Sequence, residues 1–168
     1  ETDKTYHVYG KLSTKQQSKM YFLPKTQVHD DPYFEPITVN VDFTPYNEVL
    51  AKQGKKLYQH QEDGIKFLLA RNGCILADDM GLGKTIQALS SLQLYKDQKT
   101  TMSAMVVCPT TLMFNWENEI KKFTPNLTYL IHHGGDRVRD KKIFEQHDVV
   151  ITTYGTLRSD IKFMLENE

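Results

Sequence analysis

The sequence has few cysteines, one tryptophan, four arginines and no surplus of charge. The two cysteines, Cys74 and Cys108, sit inside short apolar runs, Cys74-Ile75-Leu76-Ala77 and Met105-Val106-Val107-Cys108. That placement fits small core side chains in a reducing compartment and speaks against a disulfide or a metal site. Lys+Arg and Asp+Glu both total 21, so a dedicated basic nucleic-acid module is disfavoured, although a local basic face remains open. No apolar stretch approaches the length of a membrane span. There is no signal peptide and no initiating methionine, which leads us to expect part of a longer intracellular polypeptide, cytoplasmic in a bacterium and nuclear in a eukaryote.

What is present is an ordinary globular composition: 39% hydrophobic and 25% charged residues over 168 positions, with no internal repeat or low-complexity tract. The pattern changes near residue 55. Before it, Ile37, Val39, Val41 and Phe43 alternate with Thr38, Asn40 and Asp42, and Tyr6, Val8, Gly10 and Leu12 alternate more weakly. Period two predicts strands, hence a small β-rich lead-in over 1–55. Thr44-Pro45 predicts a capped helix start, and the helix should end near Gly54.

From Leu57 on, short apolar runs alternate with amphipathic segments. Strands are predicted at Cys74–Ala77, Ala104–Cys108, Leu127–Ile131 and Val149–Thr152. Helices are predicted around Ile65, Leu68 and Leu69; around Ile86, Leu89 and Leu92; along Leu112, Met113, Trp116, Ile120 and Phe123; over Val138–Gln146; and along Leu157, Ile161, Met164 and Leu165. Apolar strands each followed by an amphipathic helix predict an α/β fold, a parallel sheet with helices on both faces, over 56–168.

The strongest local signal is Asp78-Asp79-Met80-Gly81-Leu82-Gly83-Lys84-Thr85-Ile86. A buried strand runs into a glycine-bearing loop, then Gly-Lys-Thr, then a helix. Loop N–H groups and a helix N-terminus together make an anion site, and glycine at 81 and 83 lets the backbone approach phosphate oxygens. Lys84 can reach β- and γ-phosphates, and the Thr85 hydroxyl can ligate magnesium. The usual pattern has glycine where this chain has Asp78.

The loop extended to Gln87 closely resembles the first motif of the Swi/Snf-like ATPases, helicase-like DNA translocases of superfamily two, which carry aspartate at that first position. The resemblance covers roughly residues 57–160. Leu57-Tyr58-Gln59-His60-Gln61-Glu62-Asp63-Gly64 resembles the family's adenine-reading motif, implying that Gln61, 23 residues before Lys84, hydrogen-bonds the adenine edge. Tyr58 and Gln59 depart from the family's basic residue and proline. Val106-Val107-Cys108-Pro109-Thr110-Thr111-Leu112 followed by Asn115-Trp116-Glu117 resembles the motif that touches the nucleic-acid backbone, with Trp116 expected in the core. Val149–Leu157 resembles a further motif, implying nucleic-acid contacts from Thr153 and Tyr154. His133-Gly134 resembles a family loop more weakly.

The resemblance implies a RecA-like lobe using ATP and Mg2+ and acting on double-stranded DNA, with the fragment itself monomeric. The acidic motif of phosphate-loop ATPases, an apolar strand followed by Asp-Glu, does not occur in the 168 residues. Nor do Arg71, Arg137, Arg139 or Arg158 lie in an arginine-finger pattern. The expectation is therefore a truncated motor that grips phosphate without hydrolysing ATP alone. Two other readings stay open: a different phosphate-loop enzyme such as a small-molecule kinase, and a non-catalytic ATP-binding module. Arg137, Arg139, Lys141 and Lys142 could add attraction for DNA, or could simply be a solvated helix face.

Overall fold

A computed structural model describes the backbone of residues 7–9 and, in full, residues 40–70, 74–98 and 102–165. The chain forms two compact units, Glu1–Ser91 and Leu92–Glu168. The described strands all pair in parallel, in two sheets. Among the described residues no helix is long and apolar enough to cross a membrane.

In the first unit, β1 (His7–Tyr9) pairs with β2 (Cys74–Leu76), His7 opposite Cys74. Val8 of the weaker alternation thus lies in a strand, while Tyr6, Gly10 and Leu12 fall outside the described residues. The predicted strand over Ile37–Phe43 is corrected where it can be seen. Residues 40–43 form no strand, Phe43 already having helical backbone angles, and Ile37–Val39 fall outside the described residues. The burial alternation is nevertheless real, with Val41 and Phe43 buried between exposed Asn40 and Asp42. The Asp42 carboxylate accepts the Thr44 N–H at 2.9 Å, which turns the chain into a helix instead of a ladder.

That helix, α1 (Thr44–Ala51), therefore has Thr44 as its first residue, not its cap. It ends in a Schellman motif. Gly54 has φ 68°, the Lys55 N–H bonds Leu50 O at 3.0 Å and the Gly54 N–H bonds Ala51 O at 2.9 Å. Its inward residues are Tyr46 and Leu50, and Tyr46 OH lies 2.8 Å from Ser90 Oγ on α3 (Lys84–Gln98). Between these, α2 (Gln59–Leu69) buries Gln61, Gly64, Ile65 and Phe67.

The second unit is a three-stranded sheet ordered β3 (Ala104–Cys108), β5 (Val149–Thr153), β4 (Tyr129–His132). All five residues of β5 are buried, so both faces of the central strand are covered, and α4 (Met113–Phe123) and α6 (Tyr154–Leu165) pack against it. Asp148, just before β5, accepts from Lys96 Nζ at 2.6 Å and from the Thr128 N–H and hydroxyl at 2.7 Å each. Burial pushes that carboxyl up, but these donors outweigh it and hold it below the usual carboxylate value.

Three predicted helices need correction. Leu112 belongs to a 3-10 turn, Thr110–Leu112, and is exposed; Met113 and Ile120 form the buried stripe of α4, and Trp116 is half-buried rather than core. Val138–Gln146 shrinks to α5 (Lys141–Glu145), capped by Asp140, whose Oδ1 accepts the Lys142 N–H at 2.9 Å. The buried positions of α6 are Thr156 and Asp160, while Ile161 and Leu165 of the predicted apolar face are exposed. Both of the last two differences have one cause. Arg139 leaves the would-be helix and, with Arg137 just ahead of it, reaches Asp160, and their charge lets a carboxylate take an inward position.

Candidate functional site

The loop between β2 and α3 belongs to the first unit. Gly81 and Gly83 have φ 85° and 81°, a region that side-chain-bearing residues avoid. A Cβ on Gly83 would also collide with Gln61 Nε2 and approach Ile86 Cγ2 to 2.8 Å. Glycine at 83 therefore serves both the turn and the close approach of α2. The turn delivers Lys84 as the first residue of α3, and the Gln87 N–H closes the first helical bond to Gly83 O at 3.0 Å. Lys84 Nζ folds back to donate to Asp78 O at 2.7 Å and Asp79 O at 3.0 Å. A cation, a glycine-turned backbone and the positive end of a 15-residue helix thus converge on one loop, an arrangement that suits a phosphate chain. Met80 is 94% exposed at its tip and Leu82 is 40% exposed. Thr85 is half-buried next to Lys84, and Ile86 is buried behind the loop.

Gln61 comes to the same loop from α2. It is 7% exposed, its Oε1 accepts the Tyr58 N–H at 3.1 Å, and its Nε2 donates to Leu82 O at 3.3 Å. The amide therefore also caps its own helix and braces the loop. Two residues that sequence reasoning did not assign join it. His60 Nε2 lies 3.1 Å from Leu82 O, and Gln87 Nε2 donates to Asp78 Oδ2 at 2.8 Å. Gln87 stands in the resembling motif, but no sequence pattern announces its partner. Among the described residues no three His, Cys, Asp or Glu side chains are grouped to hold a metal. A divalent ion at this loop would rely on the Thr85 hydroxyl and on the phosphates themselves.

The second candidate site lies in the other unit. A cleft of about 390 Å³ opens at the C-terminal ends of three parallel strands, lined by Cys108, Pro109 and Thr110 after β3, His133 after β4, and Thr153 to Thr156 after β5. This is where open α/β sheets place their ligands. Pro109, Thr110, Thr111 and Tyr154 are exposed, Tyr154 by 64%. Thr153 is only 5% exposed. Its hydroxyl accepts the Thr156 N–H at 3.2 Å and donates to Thr156 Oγ1 at 3.0 Å, so it caps α6. His133 Nδ1 lies 3.1 Å from Thr156 Oγ1. Burial pushes the Cys108 thiol up, which keeps it a neutral thiol.

Behind the cleft is a charged cluster. Asp160 accepts from Arg137 Nη2 at 2.7 Å, Arg139 Nη2 at 2.8 Å and His132 Nε2 at 2.9 Å, with Arg137 Nε as a further donor. Arg137 Nη1 also reaches Gly134 O at 2.6 Å. The arginines, Arg137 first, hold the Asp160 carboxyl far below its usual value despite its burial. Arg137, half-buried, and Arg139, exposed, are thus both engaged by one buried carboxylate. The available signal was one acid on an apolar helix stripe, three residues after Leu157 and four before Met164.

Known proteins resemble the larger part of this chain. The family model described as the SNF2-related domain matches residues 60–168. The DNA excision repair protein ERCC-6-like of Danio rerio is 40% identical over 111 residues, covering 61% of this chain and 8% of that protein. The ATP-dependent DNA helicase DDM1 of Arabidopsis thaliana is 34% identical over 150 residues, covering 77% of this chain and 20% of that protein. The chain thus spans a fifth or less of the length of these two relatives. Among solved structures, the Sulfolobus solfataricus SWI2/SNF2 ATPase core in complex with dsDNA superposes with a TM-score of 0.57 at 35% identity, over 64% of this chain and 23% of that one. With parallel strands, a glycine-turned Gly-Lys-Thr loop and a family match over most of its length, the chain belongs to the SNF2-related domain family, the Swi/Snf-like branch of the helicase-like ATPases.

Proposed function

We propose that residues 56–168 are the ATP-binding part of the first RecA-like lobe of a motor that moves on double-stranded DNA, preceded by the lead-in segment 1–55. Lys84 exchanges the carbonyls of Asp78 and Asp79 for β- and γ-phosphate oxygens. The loop N–H groups from Met80 to Lys84 hold the phosphate chain, and the Thr85 hydroxyl ligates magnesium. Gln61 turns its amide to the adenine edge. Pro109, Thr110, Thr111 and Tyr154 present N–H and hydroxyl groups to backbone phosphates, which carry position and no sequence, as a motor stepping over any sequence requires. Thr153 sets the start of α6 behind them. In this reading the chain works as a monomeric segment of an intracellular protein.

The observation that carries this reading is the loop itself: two left-handed glycines set Lys84 at the head of α3 with its ammonium folded over the loop carbonyls. Support for DNA comes from relatives: one is named an ATP-dependent DNA helicase, and one structural neighbour holds dsDNA. Calorimetric titration with ATP and magnesium is the test. Lys84→Ala should weaken binding by about tenfold or more, because a charge-assisted contact is lost. Equal affinities remove the nucleotide reading. ATPase activity of the full-length protein that ignores duplex DNA removes the motor and favours another phosphate-loop enzyme.

A further inference from the structure

Asp78 occupies the position where the common phosphate-loop pattern has glycine, and its carboxylate is held. Gln87 Nε2 donates to Asp78 Oδ2 at 2.8 Å, which joins the first residue of the loop to the first turn of α3. The same residue's carbonyl accepts from Lys84 Nζ at 2.7 Å, so Asp78 is fixed at both its side chain and its backbone.

Gln87 is a poor residue for stability alone. It is 0% exposed, and its Oε1 is buried with no hydrogen-bond partner among the described residues. A buried amide with one arm unmet carries a desolvation cost that methionine of similar length would not. Its second donor contact, to Leu82 O, is 3.5 Å, the outer limit of a hydrogen bond. What the glutamine supplies is the bond to Asp78.

We infer that Gln87 is a positioning residue for polyphosphate binding. It straps the Asp78 carboxylate to the helix that follows the loop, so the loop N–H groups are set before the anion arrives. The strap also fixes a negative charge that would otherwise be free to turn toward the phosphates. This inference rests on the nucleotide reading above and goes one step beyond it. The aspartate and the glutamine form a unit, and the glutamine matters only because the aspartate is there.

The experiment is a fluorescence titration of the 168-residue chain with an N-methylanthraniloyl ATP analogue and magnesium, alongside thermal melts. Lys84→Ala decides the underlying reading: binding by the wild type that this variant loses establishes the site, and a wild type that does not bind removes both the reading and the inference. With the site established, Gln87→Met should weaken nucleotide binding by about tenfold, a typical effect of one charge-assisted hydrogen bond, while the melting temperature stays level or rises. In an Asp78→Gly background the same substitution should have no further effect. An unchanged affinity in Gln87→Met, an equal loss in the Asp78→Gly background, or a melting temperature that falls in step with affinity overturns the inference.

Discussion

His132 Nε2 lies 2.9 Å from Asp160 Oδ2, and both side chains are essentially inaccessible to solvent. The last residue of β4 is thereby tied to the middle of α6. Because Arg137 and Arg139 share the same carboxylate, the segment after β4 is fastened to the helix that begins the cleft.

Removing that carboxylate should destabilise the chain by leaving the half-buried Arg137 without its counter-charge. Asp160→Asn should lower the melting temperature by roughly 5–10 °C. The acid limb should change as well. A carboxyl held below its usual value contributes stability that is complete above the unfolded pKa of about 4 and declines as the pH falls further. Wild-type stability should therefore drop below about pH 4 more steeply than that of the variant. Superimposable acid limbs in denaturation curves would show that Asp160 is not the titrating group.

Thr153 and Tyr154 should separate under substitution, although they are neighbours. Thr153→Ala removes the cap of α6 and should cost about 1 kcal/mol in a chemical melt. Tyr154→Ala alters an exposed ring and should stay within about 0.5 kcal/mol of wild type. Only the second should weaken duplex binding without a matching loss of stability, as read by fluorescence anisotropy at two salt concentrations. Unchanged duplex binding in Tyr154→Ala removes this residue from the proposed DNA face.

Adenine selectivity is the test of Gln61. An amide can pair with the N6 and N7 atoms of adenine, whereas guanine presents an acceptor in place of the N6 donor. The amide must first exchange its bonds to the Tyr58 N–H and Leu82 O, so the selectivity should be modest. ATP should compete better than GTP for the labelled nucleotide, and Gln61→Ala should erase the difference. Equal competition by ATP and GTP in the wild type assigns Gln61 to bracing alone.

The 168 residues by themselves should not turn over ATP. Phosphoryl transfer needs a metal-side acid and gains about 10³–10⁵ in rate from an arginine, and no motif here supplies either. Arg137 and Arg139, two of the four arginines, are engaged by Asp160. Phosphate release above background that Lys84→Ala abolishes would reveal an acid that these motifs do not show.

The elements legible in the sequence were those whose signal is local. Gly81 and Gly83, the apolar strands and the Gly-Lys-Thr helix start each announce themselves within a few residues, and β3, β5 and α3 lie close to where the pattern put them. What the sequence hid depends on partners far away in the chain. Arg137 reads as part of a polar helix until Asp160, 23 positions on, is seen to draw it inward. Val41 and Phe43 alternate like a strand, yet alternation reports burial, and the turn at Asp42 decides the backbone. Gln87 gives no local hint of its carboxylate partner nine residues back.

The Leu82 carbonyl has two lone pairs and three suitors, His60 at 3.1 Å, Gln61 at 3.3 Å and Gln87 at 3.5 Å. Such an oversubscribed acceptor is fault-tolerant. If Gln61 turns away to read a base, the vacated lone pair passes to a donor already within reach, and the loop keeps its anchor throughout the exchange. On the nucleotide reading, one side chain would pass from scaffolding to recognition while the Leu82 carbonyl keeps a donor beside it throughout.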